Sequence, residues 1–310
     1  MNSTSTALTN ECSGALNDIE IVVLATFNTV LALASTFGNA LILAAIYQVS
    51  SQRTVSNAFI ASLGVADFAV GLIMNPLWVA KSVKNIWESD NNLSTAIEVL
   101  TMQTIVATTF SLCSVSVDRY IAIANIRYNE IMTWNRVRNI LIPIWIFSIA
   151  FACLRLVITD PFHLPKLWIA ATAITVILPS ILISVCNYYI LKAARLQIRR
   201  ITMEETFNPD EAIAQLKNRK AAFTVGIVIG VFLICWTPSL VISLLQFFSP
   251  ELCKKMKMNG YWFWGALAEF SNSAFNPFIY CMRIREFRKA VKRVLFSFPL
   301  MKTCIKQDFE

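Results

Sequence analysis

The sequence predicts an all-α fold: a seven-transmembrane-helix bundle followed by a short amphipathic helix 8 on the inner leaflet. Three observations carry this. The 310 residues are 56% hydrophobic and only 15% charged, whereas about a quarter of an average soluble domain is charged. Seven apolar runs are each long enough to cross about 30 Å of hydrocarbon. The basic residues also gather in alternate connections between those runs, as they do on the cytoplasmic side of membrane proteins. A formal net charge of +8 would suit nucleic acid as a partner. Here the charges flank membrane spans, so nucleic acid is set aside.

The runs are residues 21–47, 57–80, 93–124, 137–158, 167–191, 221–248 and 261–282. The third is the least apolar and is rich in Ser and Thr. Domain organisation follows: 1–20 is an extracellular N-terminus, 21–282 the membrane domain, and 283–310 helix 8 and a short cytoplasmic tail. Residues 1–20 contain no Lys or Arg, so the first span is expected to serve as its own insertion signal. With the N-terminus outside, the basic residues left for the outer face are Lys81, Lys84, Arg155, Lys166, Lys254, Lys255 and Lys257. The expected location is the plasma membrane, with the C-terminus inside. Asn2-Ser3-Thr4 and Asn92-Leu93-Ser94 are glycosylation sequons on the outer side.

After the seventh span, Phe287, Ala290, Val291, Val294 and Leu295 recur at helical spacing, with Arg288, Lys289, Lys292 and Arg293 on the other face. This pattern suits a helix lying on anionic lipid. A solvated helix is the weaker reading, because no protein core is expected there to cover the stripe. Cys304 is either a palmitoylation site or a plain thiol.

Ionisable groups inside spans are costly and usually functional. Asp67 lies in the second span. Asn272, Ser273 and Asn276 share one face of the seventh, and Asn39 and Thr108 add polar groups from the first and third. One carboxylate among neutral oxygens suits a hydrated Na⁺, and equally a hydrogen-bonded plug with no ion.

The chain resembles the class A (rhodopsin-like) G-protein-coupled receptors. The resemblance rests on an ordered set across the whole membrane region: Gly38-Asn39, then Ser62-Leu63-Gly64-Val65-Ala66-Asp67, Asp118-Arg119-Tyr120, Trp145, Pro179, Cys235-Trp236-Thr237-Pro238 and Asn276-Pro277-Phe278-Ile279-Tyr280. It implies a receptor that signals through heterotrimeric G proteins, with arrestin as a further partner, and no enzyme. It implies that Asp118 restrains Arg119, which contacts the G protein once helix six swings out. Phe232 and Trp236 would form the switch below the ligand, Pro238 would bend helix six, and Asn276, Pro277 and Tyr280 would repack on activation. It also implies that Asp67, Thr108, Asn272, Ser273 and Asn276 hold a structural sodium ion, with no other cofactor. Ile126-Arg127-Tyr128-Asn129-Glu130-Ile131-Met132-Thr133 is similar to adenosine and melanocortin receptors, and Arg283-Ile284-Arg285-Glu286-Phe287-Arg288 to adenosine receptors.

Departures from the family pattern narrow the ligand. Ser94 stands where a bridging Cys is usual, so that bridge is absent. A Cys12–Cys253 disulfide or two free thiols are the alternatives outside. Asn218 replaces the acid that often locks Arg119, which points to appreciable basal activity. Thr109 replaces an apolar switch residue, and the helix-five Tyr falls in uncertain register between Asn187 and Tyr188. Phe270 excludes a retinal Schiff base. Thr101 replaces the amine-receptor Asp, and Ser243 and Phe270 replace the adenosine-binding residues.

Two acids remain. Glu98 precedes Arg119 by 21 residues, about 31 Å of helix, and is either a ligand-attracting group at the mouth or a solvated rim residue. Glu269 shares the inward stripe of Asn272, Ser273 and Asn276, about 10 Å above Asn276. An unpaired buried carboxylate is costly, so Glu269 is either protonated within the bundle or the receiver of a cationic ligand group. The expected ligand pocket is Glu98, Thr101, Met102, Ile105, Trp236, Leu240, Ser243, Ala266, Glu269 and Phe270. The expected ligand is a small, cationic, amine-like molecule. Nucleoside, lipid and peptide ligands are the alternatives, as is a constitutively active, ligand-independent receptor.

Overall fold

The structure is a computed structural model that describes residues 14–84, 92–125, 127–160, 163–204 and 209–297. Among these there is no strand. Seven long helices and a shorter eighth follow in order, with a 3-10 turn at Ser50–Gln52 and a one-turn helix at Tyr128–Ile131 in the connections: α1 Asp18–Gln48, α2 Val55–Val83, α3 Asn92–Ala124, α4 Trp134–Val157, α5 Leu164–Glu204, α6 Pro209–Phe248, α7 Leu252–Arg283 and α8 Arg285–Ser297. Side chains open several of them. The Asn17 side chain accepts from the Glu20 backbone N–H at 2.9 Å while the Glu20 carboxylate accepts from the Asn17 backbone N–H at 3.0 Å, a capping box. Thr54 and Thr133 cap α2 and α4.

Six of these helices, α1 to α6, contain a stretch long and apolar enough to cross a membrane. The seventh has 32 residues, which is ample length, but it carries the polar stripe from Glu269 to Asn276. Helices α5, α6 and α7 run beyond their apolar spans, because the flanking Lys, Arg, Glu, Gln and Met are good helix formers and no membrane boundary ends a helix.

Prolines shape α2 and α5 in the same way. Widened π-turns occupy Val70–Met74 and Ala173–Ile177, and Pro76 and Pro179 follow two residues after each turn. A proline offers no N–H and its ring crowds the preceding carbonyls, so the helix widens there instead of breaking. Two glycines allow close helix approach. A Cβ at Gly71 would lie 2.6 Å from the Thr36 nitrogen, and one at Gly38 would lie 2.9 Å from the Pro277 ring. The backbones of α1, α2 and α7 can therefore close around the polar centre.

The main apolar cluster fills the half of the bundle that contains Arg119. It joins Ile42, Phe59, Leu63, Leu112, Phe232, Trp236 and Tyr280. It also contains Phe287, Ala290, Val291 and Val294 of α8, and this revises the sequence expectation. The α8 stripe does not lack a protein core: it is buried on α1 and α7, with the Tyr280 and Phe287 rings stacked at 5.9 Å. Amphipathicity here reflects packing on protein.

Candidate functional site

The polar residues of the spans converge between α1, α2 and α7. Asp67 is fully buried. Its Oδ1 accepts from Ser273 Oγ at 2.8 Å and its Oδ2 from Asn276 Nδ2 at 2.7 Å. Asn39 donates to the Ser273 carbonyl at 3.0 Å, and Ser35 donates to the Asp67 carbonyl at 2.8 Å. The expected spacing therefore assembles: Asn272, Ser273 and Asn276 do share a face, and that face meets Asp67.

Directly above lies a cavity lined by Val70, Thr104, Ile105, Thr108, Trp236, Glu269, Phe270, Asn272 and Ser273. Its volume is about 10 Å³, which admits roughly one water. Several buried polar atoms in its lining have no hydrogen-bond partner: Thr108 Oγ1, Asn272 Oδ1, Glu269 Oε1 and Trp236 Nε1; Asn276 Oδ1, next to Asp67, has none either. Buried polar groups are normally satisfied by protein or by ordered water. Oxygen donors around an acid fit a hard cation such as sodium.

Glu269 is 7% exposed. Its Oε2 is 3.1 Å from Ser239 Oγ, which also lies 3.1 Å from the Gly265 carbonyl. Ser239 was missed in the sequence. The signal was its position three residues after Trp236, on the inward face of α6.

Of the expected pocket residues, Ile105, Trp236, Glu269 and Phe270 line this cavity. The others do not, and several must be reassigned. Glu98 is neither a free ligand anchor nor a solvated rim residue, because it forms an ion pair with Arg155 of α4. The two side chains are 16% and 4% exposed. Arg155 was counted among the outer basic residues, and one inward-facing turn of α4 was enough to hide both charges. Met102 packs with Phe151, Ala152, Leu167 and Ala171, toward α4 and α5. Thr101 returns its hydroxyl to the Ile97 carbonyl, and Ser243 to that of Ser239. Ala266 belongs with Trp78, Phe263 and Phe270 in the apolar cluster opposite Arg119. Leu240 is half-buried on α6, one turn beyond Trp236.

At the other end of the bundle, Asp118 is 1% exposed and collects donors. Arg119 gives it bonds of 2.6 and 3.0 Å, Tyr128 one of 2.5 Å, and Ser56 a further short one. Tyr128 and Ser56 were not foreseen as partners, although Tyr128 lies inside the quoted family stretch. Burial and the neighbouring carboxylate push the Tyr128 phenol above its ordinary pKa range. Phe232 is fully buried against Trp236, with ring centroids 5.5 Å apart. Tyr120 meets Tyr189 at 6.0 Å. Tyr188 is 62% exposed, so Asn187, which lies against Gly226 of α6, occupies the inward register of α5. Asn276, Pro277 and Tyr280 lie in α7, with Tyr280 buried and its hydroxyl without a partner.

Cys253 is disulfide-bonded. Cys12, its expected partner, and Asn2 lie outside the described residues. Gly14, two residues after Cys12, packs on Met256 and Gly260. Asn92 is exposed at the first residue of α3.

Comparison with known proteins agrees with this architecture. The profile of the 7 transmembrane receptor (rhodopsin family) matches residues 38–280. Adenosine receptor A2a of Canis lupus familiaris is 28% identical over 89% of this chain and 73% of its own length. Adenosine receptor A2b of Bos taurus is 26% identical over 90% and 91%, and melanocortin receptor 4 of Danio rerio 28% over 85% and 81%. With a polar centre on Asp67, a Phe232–Trp236 contact and a paired Asp118–Arg119, the chain belongs to the rhodopsin family of seven-transmembrane, G-protein-coupled receptors.

Proposed function

We propose that this receptor binds a small extracellular ligand carrying a cationic group, and that Glu269 receives that group. The observation that carries the reading is the buried Glu269 carboxylate. One oxygen is near Ser239, and the other has no partner and lines a cavity shared with Trp236. A cation there stabilises an otherwise costly charge next to the Trp236–Phe232 contact. It can thereby shift α6, opening the Arg119 end to a heterotrimeric G protein and then to arrestin.

In this reading the chain sits in the plasma membrane with its N-terminus outside, glycosylated at Asn2 and Asn92. Cys12 bridges Cys253; the other described cysteines are free. The basic face of α8 meets anionic inner-leaflet lipid. Asp67, Thr108, Asn272, Ser273 and Asn276 hold the sodium ion that favours the resting arrangement, supplying only oxygen contacts and a compensating charge.

A nucleoside is the second reading, favoured by the similarity to proteins named adenosine receptors. G-protein activation in cells, tested against amines, nucleosides and lipids, separates the two. The expected result is an amine response that Glu269→Gln weakens more than tenfold, since hydrogen bonds to charged groups contribute about 1.5–3 kcal/mol. Arg119→Ala should abolish signalling by every ligand. A nucleoside response unchanged in Glu269→Gln would replace the cation reading by the nucleoside one.

A further inference from the structure

A short strap of chain crosses the end of the bundle opposite Arg119. Residues 14–17 are not helical and lie between the start of α1 and the first turns of α7. Gly14 and Gly260 meet there backbone to backbone. A Cβ at Gly14 would lie 2.2 Å from the Met256 carbonyl oxygen and 2.9 Å from the Gly260 nitrogen. A Cβ at Gly260 would lie 2.8 Å from the Gly14 carbonyl oxygen. A side chain at either position would hold the strap off α7.

Two residues after Gly14 the strap sends a side chain inward. Leu16 is 7% exposed, while Ala15 and Asn17 beside it are exposed. Leu16 joins the apolar cluster that contains Trp78, Phe263, Ala266 and Phe270. Gly260, Phe263, Leu267 and Phe270 recur at i, i+3, i+7 and i+10 on α7 and share one face. That face leads from the strap to the cavity, which Phe270 and Glu269 line. Gly260 precedes Glu269 by nine residues, about 14 Å of helix. The cluster that seats Leu16 therefore stands between the outer surface and Glu269.

We propose that Leu16 is a stopper: the strap at Gly14–Leu16 closes the outer route to the Glu269 cavity, and a ligand enters by displacing Leu16 from the aromatic wall. The strap has no turn or helix of its own between Gly14 and Leu16. Its near end is fixed at α1 by the Asn17 capping box, so Leu16 swings about that cap. Burial of one leucine favours the seated arrangement by a factor of about ten to a hundred. Thermal opening overcomes a bias of that size at intervals, and ligand binding reverses it. The stopper acts on any ligand that takes this route, whether or not Glu269 receives a cationic group.

The test is the reaction of a cysteine introduced by Ala266→Cys with a membrane-impermeant methanethiosulfonate added to intact cells expressing the full chain. Reaction of the chain without that change, in which Cys153 is exposed, is subtracted. With the strap seated the new cysteine should react slowly. Leu16→Ala should speed it about tenfold, and Gly14→Val, which lifts the strap off α7, by a similar factor. Leu16→Met keeps the volume of the side chain and should keep the slow rate. A cysteine from Ala152→Cys, a position 2% exposed in the cluster of Phe151 and Leu167, should react at the same slow rate in every background.

An unchanged rate at position 266 in both Leu16→Ala and Gly14→Val overturns the inference. Rapid reaction there with Leu16 and Gly14 in place does so too, because the route is then already open. Equal acceleration at position 152 would mean that the bundle has loosened as a whole, which also overturns it. None of these readouts uses a ligand or a G protein, so the cationic-ligand reading stands or falls separately in the signalling assay.

Discussion

At the residue scale, Asp118 is the most heavily engaged side chain at the Arg119 end. A buried carboxylate must have its lone pairs met, and here Arg119, Tyr128 and Ser56 meet them. Tyr128 thereby holds the acid that holds Arg119. Losing one hydrogen bond to a charged acceptor removes about 1.5–3 kcal/mol. Tyr128→Phe should therefore raise ligand-free G-protein activation severalfold at matched surface expression, and unchanged basal signal would place the restraint elsewhere. The pH behaviour follows from the direction of the Tyr128 shift. A raised phenol pKa keeps the donor protonated below the ordinary value of about 10, and the contact is lost only as pH rises above the raised folded-state value. The Tyr128 restraint on basal signalling should accordingly not vary with pH between about pH 6 and 8.

At the element scale, α3 solves a problem created by its own sequence. Ser94 replaces the cysteine that would otherwise pin its first turn. The Glu98–Arg155 pair fastens α3 to α4 one turn further in, and Glu98 is near enough for its charge to act on Lys81 of α2. Lys81 in turn lies 4.9 Å above the Trp78 ring. Deeper along α3, Ser111 bonds Ser62 of α2 at 3.0 Å, and Trp145 of α4 donates to the same Ser62 at 3.1 Å. Removing one member of a buried ion pair costs about 3–5 kcal/mol, while replacing both members by apolar groups is often close to neutral. Arg155→Ala should therefore lower Tm and surface expression sharply, and Glu98→Leu/Arg155→Leu should be milder than either single change. A double-mutant cycle on purified protein measures the coupling. Additive effects would mean that the pair contributes nothing as a pair.

At the scale of the whole molecule, the arrangement is a bundle with two chemically different ends. The Arg119 end carries the basic connections and the largest apolar cluster, which α8 completes. The opposite end carries the aromatic contacts of Trp78 with Phe263 and Phe270 at 5.7 and 5.8 Å. It also carries the Gln246–Trp262 and Gln246–Asn259 bonds, both 2.9 Å, which join α6 to α7. Such charge sorting orients a membrane protein with its basic end inside. Expressed in mammalian cells, the chain should therefore show a glycosidase-sensitive mass shift that Asn2→Gln reduces. An antibody against a tag at the N-terminus should stain intact cells. Staining that requires permeabilisation would reverse the orientation.

Sequence by itself determined the seven long helical runs, six of which hold stretches long and apolar enough to cross hydrocarbon. It also determined the stripe of Glu269, Asn272, Ser273 and Asn276, since residues three and four apart share a helical face whatever surrounds them. The Asp118–Arg119 pair and the proline positions were legible for the same local reason. Only the tertiary structure decided which faces meet. Glu98 and Met102 lie on the same helix as Ile105 and Thr108, yet they turn toward α4 and α5, and no spacing within α3 states how far that helix is rotated in the bundle. The α8 stripe looked like a lipid-facing surface because its partner residues on α1 are more than 200 positions away in the chain. Ser239 near Glu269, and Tyr128 and Ser56 on Asp118, are likewise contacts between elements. They arise from packing angle and depth, which are set jointly by all seven helices.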